Sequence, residues 1–269
     1  MGLRSVLVTI ALIVALAGTI TPASAATNTI CALDRWGSGV YRWDEGSWSW
    51  QWIGGTADGI WGGRLGLFAT NPDNKELWKY NGQPGSWQRI GGGGVRFAVT
   101  EATIYGVATD GRSTWRWNGG VDDWSYVGEG KALVAGGWDS VYSWGTTWDE
   151  IANKVPSCAV GGDGELYTVG SDRQSTWTFR DWQWQRIGQG AEKVWAGGYA
   201  MVSTVKDAMY RHLSGTHWNV IGGGSDEVAI SDYHIYSRYG DTIYRYSGNS
   251  GTNWDVLPNI SPRTITPCP

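Results

Sequence analysis

The chain has 269 residues, a formal net charge of −4 and 17% charged residues, and it contains 20 Trp and 41 Gly. An acidic chain without a basic stripe lacks the electrostatic surface that nucleic acid requires, which excludes nucleic acid as a partner. The length that remains once a leader is removed allows one large all-β domain or two small ones.

The N-terminus has the pattern of a secretory signal peptide. Residues 1–4 are basic, residues 5–20 are mostly apolar, and Ala23-Ser24-Ala25 fits a cleavage site made of small residues. The apolar run is shorter than the roughly 20 residues that cross a bilayer. We therefore expect residues 1–25 to be removed, and residues 26–269 to form a secreted, extracellular domain without membrane insertion.

A unit of Trp, two variable residues and one hydrophobic residue recurs seven times along the rest of the chain. Its spacing is 37, 37, 24, 36, 34 and 36 residues, and five of the copies continue directly to Gly. A fixed period of this length indicates a repeat architecture, in which each unit buries its apolar face on its neighbours. The copies occupy residues 50–53, 87–90, 124–127, 148–151, 184–187, 218–221 and 254–257.

Each unit is predicted to form four β-strands. In the second unit, strands are expected near residues 96–100, 103–108 and 114–118, the fourth contains Trp124, and the glycine run at 91–94 indicates a hairpin turn. The third strand carries two aromatic-type residues two positions apart, which share one face. We expect that face to pack on the next repeat. The pairs are Tyr41/Trp43, Trp78/Tyr80, Trp115/Trp117, Tyr142/Trp144, Trp177/Phe179, Tyr210/His212 and Tyr244/Tyr246.

Four antiparallel strands per unit predict an all-β chain that forms a single β-propeller. Residues 29–54 supply only three strands, and residues 263–268 resemble the missing inner strand, so the two ends of the chain are expected to close the ring in a shared blade. Only 24 residues separate Trp124 from Trp148, so one blade lacks a strand. We predict seven blades, one of them incomplete, with six blades as the alternative.

The three cysteines fit the same closure. Cys31 lies near the start of the expected mature domain, and Cys268 is the penultimate residue. Export permits disulfide formation. We predict a disulfide bond between Cys31 and Cys268, with Cys158 left as a buried free thiol.

The repeats resemble those of tectonin-type propeller lectins and, more generally, of tachylectin-like propellers. The resemblance rests on units such as Ser86-Trp87-Gln88-Arg89-Ile90-Gly91-Gly92, followed by Ile104-Tyr105-Gly106-Val107 and Trp115-Arg116-Trp117-Asn118-Gly119, and it covers nearly all of residues 26–269. It implies a lectin that binds glycans, some of them O-methylated or on cell surfaces, at several similar sites around the ring. It carries no individual binding residue over to this chain.

A sugar site needs a flat aromatic face and a few fixed polar groups. The repeat Trp are expected in the core between blades, so we look to Trp outside the repeat positions, with turn carboxylates as acceptors for sugar hydroxyls. Packing beneath loops is the alternative for these Trp, and hydrogen bonding to their own turn is the alternative for the Asp. The candidates are Trp36, Trp61, Trp138, Trp182, Trp195, Asp110 and Asp172, with Trp48 and Trp52 as further Trp outside the repeat positions.

Other function classes have weaker support. A glycosidase usually needs two convergent carboxyl groups, and the acids of this chain are scattered, so we predict no enzyme and a glycoside hydrolase only as a remote alternative. A platform for protein binding is the main alternative to a lectin. His212, His217 and His234 form no metal-ligand pattern, and we expect no metal, no cofactor and a monomer.

Overall fold

The computed structural model describes residues 26–129, 132–136, 140–144, 157–181, 183–248 and 251–269. Within these residues the chain forms 25 β-strands and no helix. The signal-peptide prediction therefore lies outside the described residues, as does Trp148. Because the described part has no helix, it has no helical segment of the length and apolarity that a membrane span requires.

The strands form blades of antiparallel neighbours, numbered here from the N-terminus. In chain order, the strands of the first three blades are β1 (Thr29–Asp34), β2 (Val40–Asp44), β3 (Ser49–Gly54), β4 (Gly59–Gly63), β5 (Gly66–Thr70), β6 (Glu76–Tyr80), β7 (Trp87–Val99), β8 (Ile104–Ala108), β9 (Ser113–Trp117) and β10 (Trp124–Glu129). The strands of the fourth and fifth are β11 (Ala132–Gly136), β12 (Ser140–Trp144), β13 (Cys158–Val160), β14 (Leu166–Val169), β15 (Ser175–Arg180) and β16 (Gln183–Gln189). The remaining strands are β17 (Lys193–Ala196), β18 (Met201–Val205), β19 (Ala208–Ser214), β20 (His217–Gly223), β21 (Glu227–Ile230), β22 (Ile235–Tyr239), β23 (Thr242–Tyr246), β24 (Trp254–Val256) and β25 (Pro262–Cys268).

These strands build a seven-bladed ring. Blade 1 has the order β25-β1-β2-β3, blades 5, 6 and 7 each use four consecutive strands, and blade 4 has β11 and β12 among the described residues. Blades 2 and 3 share β7 and so form one seven-stranded sheet. The inner strands contact one another in the cyclic order β25, β4, β7, β11, β13, β17, β21 and back to β25. The predicted propeller with seven blades is therefore confirmed.

The glycine run at residues 91–94 is not a hairpin turn, and that prediction was wrong. It lies inside β7, which runs without a break from Trp87 to Val99. The first part of β7 pairs with β6 as the outer strand of blade 2, and the second part pairs with β8 as the inner strand of blade 3. Glycine allows the close backbone approaches that this crossing from one blade to the next requires.

The repeat Trp connect each blade to the one before it. The indole N–H of Trp87 donates to the carbonyl oxygen of Ile53, that of Trp124 to Ile90 and that of Trp218 to Ile187, at 3.0, 3.1 and 2.7 Å. Trp254 makes the same bond to Ile221. At the point of closure, Trp50 donates to Pro258, the residue after Leu257. The Trp and the hydrophobic residue of the repeat are thus donor and acceptor across one interface.

The glycine after the hydrophobic residue leaves room for the next indole. A Cβ at Gly54 would lie 2.7 Å from Nε1 of Trp87, and one at Gly91 would lie 2.4 Å from Nε1 of Trp124. These separations are far shorter than carbon and nitrogen atoms tolerate, so an alanine would displace the indole. This contact explains four of the five Gly that follow the repeat, because Gly188 and Gly222 face Trp218 and Trp254 in the same way. The repeat Trp that follows Gly128 lies outside the described residues.

The aromatic pairs of the third strands contact their own blade as well as a neighbouring one, where the prediction named only the neighbour. In six of the seven pairs the second member stands directly opposite the repeat Trp of its own blade, as Tyr80 does with Trp87 at 5.2 Å between ring centroids. His212 and Trp218 pair in the same way at 4.9 Å. The buried side chains then form clusters between adjacent blades, such as the one that joins Trp43 of blade 1 to Tyr236 of blade 7.

Blade 1 closes the ring as predicted. Its inner strand β25 pairs with β1, and Thr29 stands opposite Cys268. Cys31 and Cys268 form a disulfide bond with their Cα atoms 5.7 Å apart. Cys158 is a free thiol, but it is only partly buried because it borders the central channel.

Candidate functional site

Two faces of the ring carry different loops. Face A carries the turns between first and second strands, at residues 64–65, 100–103 and 231–234. Face B carries the turns between second and third strands. The candidates Trp36, Asp110 and Asp172 all lie in face B turns, but in blades 1, 3 and 5. They share a face of the molecule and do not form one site.

Trp36 is presented to solvent on a rigid turn. Its side chain is 83% exposed. One carboxylate oxygen of Asp34 accepts hydrogen bonds from the backbone N–H groups of Trp36 and Ser38, at 3.1 and 2.8 Å. The guanidinium of Arg35 lies 5.6 Å from the Trp36 ring centroid and pairs with Asp241 of blade 7 at 3.4 Å. Tyr239, close to Asp241 in sequence, is also exposed.

The two turn aspartates bond to their own turns. Asp110 accepts hydrogen bonds from the backbone N–H groups of Arg112 and Ser113 and from the Ser113 hydroxyl. The hydroxyl bond from Ser113 is the main reason why the pKa of Asp110 lies below its ordinary value. Asp172 accepts from the backbone N–H of Gln174 at 2.8 Å. Both side chains therefore stabilise a turn, which is the alternative that the sequence left open.

Trp61 and Trp195 come together at the central channel. Both are half-buried and line a chamber of about 410 Å³ on the ring axis. Trp61 packs edge-on against Phe97, with ring centroids 4.9 Å apart. Trp195 packs against the cluster formed by blades 6 and 7. The remaining candidates, Trp138 and Trp182, lie outside the described residues.

A second cavity lies at the seam between blades 2 and 3. It measures about 300 Å³, and we call it the seam pocket. Glycines form its floor, because the backbone of β7 crosses here from blade 2 to blade 3 and β8, the second strand of blade 3, carries Gly106. Two indoles and one phenyl ring form its walls. The lining residues are Gly92, Gly93, Gly94, Phe97, Gly106, Val107, Ala108, Trp115, Asp122 and Trp124.

Gly106 is the residue that gives the pocket its depth. It stands directly opposite Trp115 in the sheet, and a Cβ at Gly106 would lie 2.7 Å from the Phe97 ring. In blade 5 the equivalent position, opposite Trp177, carries Thr168. The space beside Trp115 therefore depends on glycine at this position of the second strand.

The rim of the seam pocket is charged but internally paired. Asp122 accepts a hydrogen bond of 2.7 Å from Arg89, which also donates to Glu76 at 2.8 Å. The bond from Arg89 is the main reason why the pKa of Glu76 lies below its ordinary value. With one cation between two carboxylates, the rim offers acceptor oxygens and no free cation.

This pocket was not among the predicted sites. Trp124 was predicted to lie in the core between blades and Trp115 on an aromatic face, and each prediction accounts for only one side of its indole ring. The feature that could have indicated the pocket is the glycine content of two neighbouring strands. Residues 91–94 are all glycine, and Gly106 is the one glycine in the next strand. A glycine inside a strand marks a close approach of backbone or ligand.

Other seams also carry accessible indoles. Trp52 of blade 1 is 49% exposed and lies 3.7 Å from the position of a Cβ at Gly85 of blade 2. Trp48 is 39% exposed and stacks on the guanidinium of Arg245 from blade 7, at 4.4 Å from the ring centroid. Trp48 has a positive φ of 51°, a conformation that disfavours bulky residues. In the described part of the chain, no group of three His, Cys, Asp or Glu side chains is placed to hold a metal ion.

No family model matches the chain, and a search of curated proteins finds no match. Solved structures align with most of the chain at low identity. Apo AztD from Citrobacter koseri is 10% identical, with 88% of this chain and 96% of that chain covered and a TM-score of 0.49. YCF48 from Cyanidioschyzon merolae is 13% identical, with 83% and 79% covered and a TM-score of 0.42. A symmetrical protein studied for its de novo evolutionary emergence is 12% identical, with 90% and 99% covered and a TM-score of 0.44. These similarities concern the fold alone.

Proposed function

We propose that this protein is a secreted lectin, which binds carbohydrate without turning it over, and that the seam pocket is its best-formed sugar site. The observation that carries the proposal is the convergence of Trp115, Trp124 and Phe97 over a glycine floor in a cavity of about 300 Å³. Aromatic faces pack against the apolar side of a sugar ring, and a small number of polar groups fixes its hydroxyls.

The polar part of the pocket suits a neutral sugar. The carboxylate of Asp122 accepts hydrogen bonds, as sugar hydroxyls require, and the exposed backbone of Gly92 and Gly93 adds donors and acceptors. Arg89 is already bound by Asp122 and Glu76, so the rim has no unpaired cation for an acidic sugar.

A pocket of this size holds one or two sugar residues, and such sites are weak. A millimolar site corresponds to about 4 kcal/mol of binding free energy. Weak sites at several seams raise the overall affinity for a surface that displays many copies of one glycan. The accessible indoles Trp48 and Trp52 at two further seams support this arrangement, as does the resemblance of the repeats to tectonin-type lectins.

The test is a glycan array probed with residues 26–269, including O-methylated sugars, and repeated with free monosaccharide as competitor. Trp115→Ala is expected to weaken binding about 5- to 30-fold, because stacking on one aromatic ring contributes about 1–2 kcal/mol. Trp177→Ala is the matched control, since it removes the equivalent residue of blade 5, where Thr168 occupies the space beside it. Absence of any competed glycan signal, or equal loss in both variants, contradicts the proposal.

A second candidate function is a platform for protein binding, and Trp36 favours it. An indole that is 83% exposed on a turn held by Asp34 resembles the rigid aromatic anchors of protein interfaces. A pull-down with wild type and Trp36→Ala separates the two functions. Capture of a partner that depends on Trp36 and is unaffected by free sugar supports the platform.

A further inference from the structure

The chamber on the ring axis is a different kind of cavity from the seam pocket. Six inner strands with described side chains border it, and the edges of these strands face the axis. Backbone groups on an open strand edge need partners. Thr266 of β25 accepts from the backbone N–H of Gly62 at 2.8 Å, and Ser157 accepts from that of Val194 at 3.0 Å. Both hydroxyls therefore act as acceptors for backbone N–H groups of the wall.

The end of the chamber at face A is covered by a single side chain. Arg64, from the first turn of blade 2, reaches across blade 1, which has the chain termini in place of a turn, and meets Asp232 of blade 7. Its Nε and Nη2 donate to Oδ1 of Asp232 at 3.1 and 3.0 Å. Arg64 also donates to Glu101 of blade 3. A smaller space of about 110 Å³ at this end adjoins the chamber and contains all three charged groups.

This cluster leaves no charge free to act on a ligand. The hydrogen bond to Asp232 is the main reason why the pKa of Arg64 is raised, so the guanidinium stays charged. Asp232 accepts in addition from the backbone N–H of Thr27 at 2.9 Å. The carboxylates of Asp232 and Glu101 are mostly buried. The cluster therefore ties blades 2, 3 and 7 together at the face A end of the chamber.

The side chains that line the chamber are mostly apolar and include two indoles, while Ser157, Lys193, Thr266 and the backbone of the strand edges make the wall polar as well. Trp61 and Trp195 each pack one side against a neighbouring blade and leave the rest of the ring toward the axis. Among the described residues that line it, none is Asp or Glu, and Lys193 is the one charged side chain. The ammonium of Lys193 donates to the backbone carbonyl of Asp226 at 3.3 Å. Lys193 is the first residue of β17, which places it toward the face B entrance.

We infer that the central chamber is a second binding site, for a small uncharged aromatic molecule. A volume of about 410 Å³ falls within the range of small-molecule pockets. Two indoles supply faces and edges for ring stacking, and most of the other lining side chains are apolar. Among the described lining residues, a cation meets Lys193 and no carboxylate, whereas an anion loses its hydration while the guanidinium of Arg64 is already paired with Asp232.

The inference does not depend on the lectin proposal, because the chamber and the seam pocket have only Phe97 in common. Trp195 lines the chamber and not the seam pocket, whereas Trp115 lines the seam pocket and not the chamber. A variant at either position therefore reports on one cavity.

The experiment is a ¹⁹F NMR titration of residues 26–269 with three probes that share one ring: 4-fluorobenzyl alcohol, 4-fluorobenzylamine and 4-fluorobenzoate. The alcohol is expected to bind with a dissociation constant at or below a few millimolar, and the two ions at least fivefold more weakly. Trp195→Leu is expected to weaken alcohol binding at least fivefold. Trp52→Leu, at an exposed indole on an outer strand, is the matched control and is expected to leave binding unchanged.

A second measurement locates the probe without any variant. Diffraction from crystals soaked in 4-iodobenzyl alcohol is expected to give an anomalous iodine peak on the ring axis between Trp61 and Trp195. Failure of the alcohol to bind in solution overturns the inference and leaves a water-filled channel. Equal binding of alcohol and amine overturns the ligand class. Binding that survives Trp195→Leu and disappears with methyl glycoside competitor places the probe in a sugar site and also overturns the inference.

Discussion

The indole N–H of Trp87 in blade 2 lies 3.0 Å from the carbonyl oxygen of Ile53 in blade 1. The same bond recurs from one blade to the next because the repeat supplies both partners, a Trp donor and a hydrophobic residue whose carbonyl accepts. Among the described residues, blades 1, 2, 3, 6 and 7 are therefore each held to the blade before by a directional contact as well as by apolar packing. This contact makes the order of the blades specific.

Trp87→Phe is expected to lower the free energy of unfolding by about 1–2 kcal/mol, because the carbonyl of Ile53 loses its donor while most of the ring packing remains. Urea unfolding followed by circular dichroism measures the change. Trp52→Phe, at an exposed indole, is the control and should stay within about 0.5 kcal/mol of wild type. Equal effects of the two substitutions would show that the interblade bond contributes nothing.

Gly91→Ala is expected to destabilise the protein by about 2–3 kcal/mol, because the added methyl group overlaps the indole of Trp124. Gly92→Ala, one residue further along the same strand, adds a methyl group where no atom lies within 4 Å. It should change stability by less than about 1 kcal/mol. The pair is compared by the midpoint and slope of urea unfolding, and a milder effect at Gly91 than at Gly92 would refute the packing argument.

Removal of the bond that closes the ring is expected to cost about 3–5 kcal/mol in the chain-entropy description, since the bond spans a sequence separation of 237 residues. The double variant Cys31→Ala, Cys268→Ala tests this by thermal and urea unfolding. Thiol counting on denatured protein gives the bond directly. One thiol is expected before reduction and three after it, and three before reduction would exclude the disulfide.

Cys158 is expected to react at least 100-fold more slowly with iodoacetamide at pH 8 than an unfolded cysteine does. Burial raises the pKa of its thiol to about 12, so very little of the reactive thiolate is present. The rate is measured by mass spectrometry on native protein, with protein unfolded in urea as reference. A native rate close to the unfolded one would show that the thiol is neither buried nor shifted.

His234 is expected to make the protein less stable as the pH falls. Burial lowers the pKa of this imidazole from its ordinary value of 6.5, so the unfolded state binds the proton more readily. The resulting loss of unfolding free energy is absent well above pH 6.5 and appears as the pH falls through that value. Glu45 opposes the shift and Arg245 adds to it. The difference in unfolding free energy between wild type and His234→Gln, measured from pH 7.5 to 5.5, should change in favour of the variant, and a constant difference would rule the effect out.

The sequence predicted the propeller because its markers record contacts that every blade repeats. The Trp of each unit must reach the previous blade, and the glycine must leave room for the next indole, so both positions are nearly invariant within the chain. The pairing of Cys31 with Cys268 followed from the same logic, since an incomplete first unit needs a strand from the other end. The aromatic pairs were placed correctly on one face, but the period alone did not reveal that Tyr80 packs on Trp87 of its own blade.

The candidate site could be predicted only in part, because a pocket forms where side chains are absent from several neighbouring strands at once. Trp61 and Trp195 were selected one by one, and only the closed ring brings them to the same chamber. The glycines of β7 and Gly106 lie on two paired strands, and each has a local explanation. The seam pocket exists because β7 passes from blade 2 to blade 3 beside Trp115 and Trp124.

By itself, the sequence determined the propeller architecture and the closure of the ring, and it predicted seven blades with six as the alternative, because these follow from short-range periodicity and from the identity of the residues that repeat. Only the tertiary structure decided where the cavities lie, which indoles remain accessible and which charges are already paired, as Arg64 is with Asp232. These properties depend on side chains from different blades meeting in space, and residues that meet in this way leave no periodic pattern along the chain.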